Sequence, residues 1–376
     1  MSDAPLDLTV CDREPIHIPG SIQPYGILFA LSPQTGRVVQ VSANASERLG
    51  RPIEDILDRT MEELVVPVPP TTIEEMIEDL GRRPTNVRML VNGVSHEFSA
   101  HLSEGLLVLE LEPEVTVPDG PAGRYREARS AIVEFRAATT LRQLSESVAR
   151  SVRSVAGFDR VMVYRFLEDG TGTVFAEERR EGMDSWLGLH YPASDIPKQA
   201  RALYVRNPLR LIHDVDYSPS PIVPQENPLT GGPLDMSQSV LRSVSPIHVQ
   251  YLRNMGVGAS MSISLVRNGT LWGLIACHHS TPWQGGSDVR AALELIGQAA
   301  SLQIGELQAR ADREFRERAR TIQDRLVERM LATHSVGAGL SENGHELLDL
   351  VNATGAAIVH HGKVRLVGAT PNESQV

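Results

Sequence analysis

Cysteine is scarce: Cys11 and Cys277 are the two in 376 residues, which excludes a disulfide framework, and both are read as reduced thiols. Nowhere do about 18 apolar residues run together, so a membrane-crossing helix is excluded. The opening Met1-Ser2-Asp3-Ala4-Pro5 lacks the basic and apolar regions of a secretory signal, and a cytoplasmic location is the expectation. Positive charge is short as well. Against 47 Asp and Glu stand 36 Lys and Arg, a formal net charge of -11, without the basic footprint needed for nonspecific binding to nucleic acid or anionic membranes. What is present is ordinary globular composition, 41% apolar and 22% charged, over a length that fits two or three domains.

The periodicity divides the chain. Gly26 to Leu31 and Arg37 to Val41, separated by Ser32-Pro33-Gln34-Thr35-Gly36, read as strand, turn and strand. Alternating segments recur at Asn86 to Val91, Ser95 to Leu102 and Leu106 to Leu111, while Ile53 to Leu64 and Thr72 to Leu80 carry acidic, helix-like spacing. An antiparallel sheet with short helices on one side is the natural packing. The proline- and glycine-rich stretch from Pro113 to Gly123 marks a boundary. Arg124 to Val155 then predicts two helices broken at Thr139-Thr140. Strands follow at Arg160 to Phe166 and Gly172 to Glu178, turning at Asp169-Gly170. A second hairpin, Ser260 to Val266 and Thr270 to Cys277, turns at Arg267-Asn268-Gly269. Between the hairpins lie a helix at Lys198 to Arg206 and a long loop from Tyr217 to Asp235, a length that points to function or disorder. From Asp288 to about Thr333 one helical stripe persists through Val289, Leu293, Ile296, Ala300, Ile304, Leu307, Ala311, Phe315, Ile322, Leu326 and Met330. Coiled-coil pairing and a helix shared by two domains both fit it. Asn343 to Leu366 reads as a further helix and strand.

Four longer stretches carry the functional signal. Tyr191-Pro192-Ala193-Ser194-Asp195-Ile196-Pro197 is a proline-bracketed turn with one carboxylate, and its prolines favour extended backbone that keeps Asp195 out of a regular helix or central strand. The carbonyls of Ala193, Ser194 and Asp195 can then serve a partner beyond their own secondary structure, unless the stretch is an ordinary Asp turn. The other three are Ser245-Pro246-Ile247-His248-Val249-Gln250-Tyr251-Leu252-Arg253-Asn254-Met255-Gly256-Val257, Trp272-Gly273-Leu274-Ile275-Ala276-Cys277-His278-His279, and Cys11-Asp12-Arg13-Glu14-Pro15-Ile16-His17-Ile18-Pro19-Gly20-Ser21-Ile22-Gln23-Pro24. Together, in their order along the chain, the four resemble the phytochromes, specifically the bacterial biliverdin-binding branch, from Cys11 to about Gln308. The resemblance implies an α+β fold: a PAS and a GAF domain, each an antiparallel sheet with flanking helices, joined by a figure-of-eight knot in which Ile22 is threaded through a loop. A long connecting helix follows. The expected divisions are an arm at 1–24, PAS at 25–118, GAF at 124–308, the connecting helix at 309–335 and an incomplete start of a PHY domain at 336–376.

The same resemblance implies the ligand, biliverdin IXα, a linear tetrapyrrole joined to Cys11 by a thioether. Local sequence leaves that thiol undecided, because Arg13 favours the thiolate while Asp12 and Glu14 oppose it. Phytochromes that attach their pigment through a cysteine just ahead of the motif histidine differ, since Ile247 stands there in this chain. Asp195 would accept from the pyrrole nitrogens through its carbonyl, with His248 stacked or water-bridged near the same centre. Arg210 and Arg242 offer forks for two propionates, with Tyr204, Ser245, Ser260 and Ser262 as neutral donors. Met162, Tyr164, Tyr191 and Tyr251 would surround the outer ring with Ile196 and Pro197 beside them, and His278 would donate to its carbonyl. Cys277 reads as core packing, and no metal site or catalytic group is assigned. Tyr25 departs from a histidine common after the Gln-Pro pair.

The function so implied is a red/far-red photoreceptor that isomerises the bridge between rings C and D and signals to an output module, commonly a histidine kinase. The fragment itself is expected not to be an enzyme. A homodimer through GAF and connecting helices is implied. Two other readings are a GAF-type regulator binding another small ligand and a thiol enzyme using Cys11 or Cys277 with a histidine. Because the sequence stops at Val376, ahead of any tongue hairpin, an incomplete far-red state is expected. Absorption spectra with biliverdin, before and after red illumination, check this; a full and stable red/far-red cycle contradicts it.

Overall fold

A continuous apolar strand must be covered on both faces, and the run Ile27-Leu28-Phe29-Ala30-Leu31 is buried throughout. The computed structural model describes residues 14–68, 75, 88–115 and 120–375. Cys11 and the helix-like segment from Thr72 to Leu80, Glu75 apart, lie outside the described residues. In chain order the first domain carries β1 (Ser21–Ile22), β2 (Ile27–Leu31), β3 (Val38–Ser42), α1 (Ala45–Leu49), α2 (Met61–Leu64), β4 (Val66–Val68), β5 (Arg88–Val91), β6 (Val94–Ser103) and β7 (Leu106–Pro113). Ile27, Phe29 and Leu31 face a core completed by Val41, Ala45, Met61, Leu109 and Leu111. Leu28 and Ala30 face the other way, onto Ile222, Leu234, Met236 and Leu241.

The helix expected from Ile53 to Leu64 is interrupted. A single 3-10 turn at Ile53–Asp55 is followed by Asp58 at φ 60°, and only Met61–Leu64 is α-helical. The cause is local: the Thr60 amide donates to the Glu63 carboxylate at 2.9 Å in a capping box that starts a new helix there.

The second domain carries α3 (Gly120–Ala137), α4 (Leu141–Ala156), β8 (Arg160–Phe166), β9 (Gly172–Arg179), β10 (His190–Tyr191), α5 (Lys198–Arg206), β11 (Leu209–Ile212), β12 (Ser220–Val223), α6 (Pro246–Asn254), β13 (Ala259–Arg267), β14 (Thr270–His279) and α7 (Ser287–Thr333). The break between α3 and α4 falls at the paired threonines because the Thr140 hydroxyl caps α4, accepting from the Gln143 amide at 3.2 Å. The β13–β14 turn places Asn268 and Gly269 at φ 49° and 75°, the left-handed conformation that its Asn-Gly pair tolerates. Strand order in this sheet is β10-β9-β8-β14-β13-β11, all antiparallel.

The Tyr217 to Asp235 loop, whose length pointed to function or disorder, contains a strand. Its β12 leaves the second domain to pair with β3 and β1, so the first sheet runs β1-β12-β3-β2-β7-β6-β5-β4. On one edge the arm pairs Ser21 with Pro221 and Ile22 with Ser220. On the other, Ile22 bridges Arg242, the Gln23 amide donates to Leu241 at 2.7 Å, and the Ser243 amide donates to Ser21 at 3.0 Å. Both edges belong to one uninterrupted stretch of chain, so the arm passes through it, and Ile22 is 0% exposed.

Contacts divide the chain into Met1–Ile304 and Gly305–Val376, a division that falls inside α7. Along that 47-residue helix Leu293, Ile296, Ala300 and Ile304 are buried in the first unit, and Ile322 and Leu326 in the second. Ala311 and Phe315 are exposed, so the apolar stripe is not continuous. The second unit adds α8 (Val336–Ser341), α9 (His345–Val351) and the hairpin β15 (Gly355–His360) and β16 (Lys363–Gly368), with Arg325 and Arg329 on Glu346 at 3.2 and 2.7 Å.

Shortening Ile22 to alanine opens a cavity where three segments meet. Ile22→Ala should lower unfolding stability by about 2–5 kcal/mol, read as a lower urea midpoint. An unchanged midpoint would show that the threaded position bears no packing energy.

Candidate ligand-binding site

On a strand, side chains two apart share a face, and antiparallel partners share it too. The second sheet therefore sets Arg210, Ser262, Ala276 and Met162 in one row, and Ile212, Ser260, His278 and Arg160 in the next. Leu274 pairs with Tyr164, and Tyr164 with Val174. Leu211, Met261, Ile263, Ile275, Cys277, Val161 and Val163 point to the opposite, fully buried face. The alternation thus separates His278 from Cys277, with the thiol in the core.

Over the first face lies a cavity of about 300 Å³. Its sheet wall extends from β9 to β11, four strand spacings or about 19 Å. Its other walls are the Tyr191–Pro197 turn, α5 and α6, contributing Tyr191, Asp195, Ile196, Pro197, Tyr204, His248 and Tyr251. Arg242 and Ser245 line it from the segment ahead of α6, so every described residue singled out for the pigment lies on one cavity. Ile22, in the knot, does not.

The β11 side is cationic. Arg210 is buried, and one N–H from each terminal amino group is committed to a backbone carbonyl, Val240 at 3.2 Å and Arg242. It braces the segment carrying Arg242 rather than presenting an open fork. Arg242 donates to the Ile16 carbonyl at 3.0 Å, and its buried Nε has no hydrogen-bond partner. Among the described residues neither guanidinium lies within 4.0 Å of a carboxylate. Burial, and after it the neighbouring Arg210 charge, pull the Arg242 pKa down to about 9. The Ser245 hydroxyl donates to Glu14 at 2.6 Å, fastening the arm at this end.

Toward β8 and β9 the wall is aromatic. Tyr164 and Tyr191 lie 6.0 Å apart, and the Trp186 ring stands edge-on to His278 at 5.9 Å. Tyr164 packs close against Gly172, where a β-carbon would fall 2.0 Å from its ring. Under Trp186 the Arg160 guanidinium stacks at 3.7 Å and pairs with buried Glu177.

Both pocket histidines are neutral at physiological pH. Burial, then the Arg210 charge, lowers His248 to about 4; burial, then His248 and Arg160, lowers His278 to about 3. The buried Nδ1 of His278 has no partner. Burial raises Asp195, partly offset by the Tyr251 hydroxyl at 3.5 Å, and pushes the Tyr164 and Tyr251 phenols up to about 12. The Asp195 turn is a single 3-10 turn, Ala193–Asp195, with Arg201 gripping the Ala193 and Ile196 carbonyls at 3.1 and 2.7 Å. Burial pushes the Cys277 thiol up, and the strand alternation turns it away from the cavity. A long slot with an unpaired cation at one side, two neutral imidazoles and aromatic walls suits a flat, elongated, largely apolar anion.

A PAS-fold family model matches residues 11–114, a GAF-domain model residues 140–305 and a phytochrome-region model residues 319–376. The crystal structure of a bacteriophytochrome from the photosynthetic bacterium R. palustris is 40% identical with a TM-score of 0.85, covering 98% of this chain and 74% of that one. The chain belongs to the bacterial phytochromes. The phytochrome photosensory core module of Stigmatella aurantiaca is similar at 40% identity and a TM-score of 0.84, over 98% of this chain and 75% of that one. Cyanobacterial phytochrome B of Nostoc sp. is 41% identical over 372 residues, 97% of this chain and 50% of that relative. The bacteriophytochrome of Xanthomonas campestris pv. campestris is 39% identical over 379 residues, 98% of this chain and 58% of that relative. The phytochrome chain described here thus spans about half the length of the curated relatives it matches.

Sequence reasoning missed Trp186, Glu14, Ile16 and the Arg160–Glu177 pair. Alternation from Met162 and Tyr164 already places Arg160 on their face. Trp186 follows β9 in a loop without periodic signal. Tyr25 does not line the cavity; its ring meets His213 at 4.8 Å and its hydroxyl is buried without a partner.

In ligand-free protein the ¹⁵N shifts of His248 should report a neutral ring down to about pH 4, against the ordinary 6.5 of an unfolded imidazole. The unfolded state binds the extra proton first, so this group makes stability fall as pH drops from about 6.5 toward 4, and His248→Gln should flatten that part of the profile. A His248 midpoint near 6.5 contradicts the burial account. Gly172→Ala should displace the Tyr164 ring and cost about 1–3 kcal/mol in a urea titration, whereas unaltered stability and near-ultraviolet dichroism would show a ring free to move aside.

Proposed function

We propose that this chain is the photosensory part of a red/far-red receptor, holding biliverdin IXα in the cavity described above and tethering it through Cys11. The observation that carries the reading is that Arg242, with no carboxylate within 4.0 Å and a buried Nε that lacks a partner, and His278, whose buried Nδ1 lacks one, line one slot about 19 Å long. Isolated buried groups of this kind are costly, and a ligand that brings carboxylates and a carbonyl satisfies both. When bound, the open-chain tetrapyrrole supplies absorption of visible light and a double bond that isomerises.

The remaining work falls to the protein. Arg242 binds a carboxylate, and Ser260 and Ser262 offer hydroxyls from the sheet. Tyr204 adds a phenol from α5, and Ser245 a hydroxyl at the mouth. His248 and the Asp195 carbonyl hold pyrrole N–H groups at the centre. His278, neutral, donates a hydrogen bond to the outer carbonyl, while Met162, Tyr164, Tyr191 and Tyr251 form the apolar enclosure in which an outer ring can occupy more than one orientation. Glu14, bonded to Ser245, stands three residues after Cys11, so extended backbone limits that thiol's α-carbon to about 11 Å from Glu14. That reach supports the tether.

The divisions at 24, 118, 124, 308 and 335 belong to this proposal, as does a homodimer through GAF and connecting helices. Output through a kinase or other effector domain, in the cytoplasm, is likewise proposed for the intact protein; no helix among the described residues is long and apolar enough to cross a membrane.

Purified protein mixed with biliverdin tests the reading. A red absorption band and zinc-enhanced fluorescence of the denatured band are expected, and Cys11→Ala should lose the covalent link while the cavity still binds pigment. Fluorescence that persists in the denatured Cys11→Ala band rejects the attachment site, and no red band in wild type rejects the function.

A further inference from the structure

Val240, Leu241 and Arg242 are held from three directions. The Arg210 guanidinium takes the Val240 carbonyl at 3.2 Å and the Arg242 carbonyl, and the Gln23 amide takes the Leu241 carbonyl at 2.7 Å. The amides on the same stretch are taken by one side chain from the PAS domain. Glu110 on β7, 1% exposed, accepts from Leu241 at 2.7 Å through Oε1 and from Val240 at 3.0 Å through Oε2. An ionised carboxylate accepts from two N–H groups at once; a protonated acid or a carboxamide accepts with one oxygen and turns a proton toward the other amide. A PAS residue that never touches the cavity therefore fixes the backbone from which Arg242 extends into it.

We propose that Glu110 is a positioning residue of the pigment pocket, a PAS-domain carboxylate that aims the Arg242 guanidinium at a ligand carboxylate by gripping the Val240 and Leu241 amides. This rests on the reading of Arg242 as the carboxylate-binding residue. The groups facing Glu110 are Glu112 on its own strand, Arg290 of α7 paired with Glu112 at 2.6 Å, the Tyr25 phenol, and the Arg210 and Arg242 cations. Burial raises Glu110 to about 7, against the two amide bonds that favour the anion. Its grip is complete above that pH and weakens below it. Because the folded state takes up the proton first, this carboxyl adds stability as pH falls from about 7 to 4.5, so weaker binding in that range cannot be ascribed to unfolding through Glu110.

The test uses the whole chain with two probes, biliverdin and its dimethyl ester, which lacks free carboxylates. At pH 8, Glu110→Gln should weaken binding of the free acid about tenfold and leave the ester unchanged. In an Arg242→Ala background the same change should have no further effect. In wild type the affinity for the free acid should fall between pH 8 and 6, with the ester flat, a measurement that stands even if the variant does not fold. Equal losses for both probes, or a flat wild-type profile for the free acid, overturn the positioning role. Wild type that binds both probes alongside an unaffected Glu110→Gln overturns this inference alone, whereas wild type that binds neither probe overturns the pocket reading and this inference with it.

Discussion

The passage of Ser21 to Gln23 through the loop that spans Ser220 to Ser243 is the constraint on which the rest of the molecule depends. Backbone groups on both edges of a short strand are satisfied there by segments from the other domain. The same loop covers the second face of the PAS sheet with Ile222, Leu234, Met236 and Leu241, which is why β2 can be apolar on both sides. It also carries Arg242 to the cavity and leaves the arm's Glu14 and Ile16 at the cavity rim. Fold stability and ligand geometry therefore share one set of hydrogen bonds.

The cavity follows from how the GAF sheet divides its two faces. One is closed by a conventional core that includes Ile263, Ile275 and Cys277. The other carries serine, histidine and arginine among apolar residues, and a packed core would leave these unpaired. Lowered imidazoles and a lowered Arg242 record the same burial. The site is preformed and electrostatically incomplete, which is the condition for a ligand to bind by supplying what is missing.

Much of this was legible in the order of residues. Alternation located both hairpins of the GAF sheet, the Asn-Gly pair located a turn, and the four motifs named nearly all the polar groups that converge. The pairing of β12 with a sheet about 180 residues earlier was not legible, because such a partner leaves no local pattern in either strand. Nor was Glu110, which in sequence looks like the solvent-facing member of an alternating strand and in the fold is a buried acceptor. Arg210 was recognisable as a pocket residue, but its use of backbone carbonyls depends on where Val240 and Arg242 fall. Phe315 continues a helical stripe on paper, yet it is 55% exposed because the two units bury different lengths of the same helix.

The threaded arm also sets an order of events during synthesis. At ordinary elongation rates of roughly 5–20 residues per second, Ser21 leaves the ribosome on the order of 10–40 s before Ser243, the last of its partners, is made. For that interval the arm is a strand without neighbours, the kind of segment that pairs wrongly with whatever edge it meets. Pro15 and Pro19 flank its apolar Ile16 and Ile18, and each removes a donor that such mispairing would need. With two fewer backbone donors between Pro15 and Pro19, this stretch offers a wrong edge less to pair with before the loop is made.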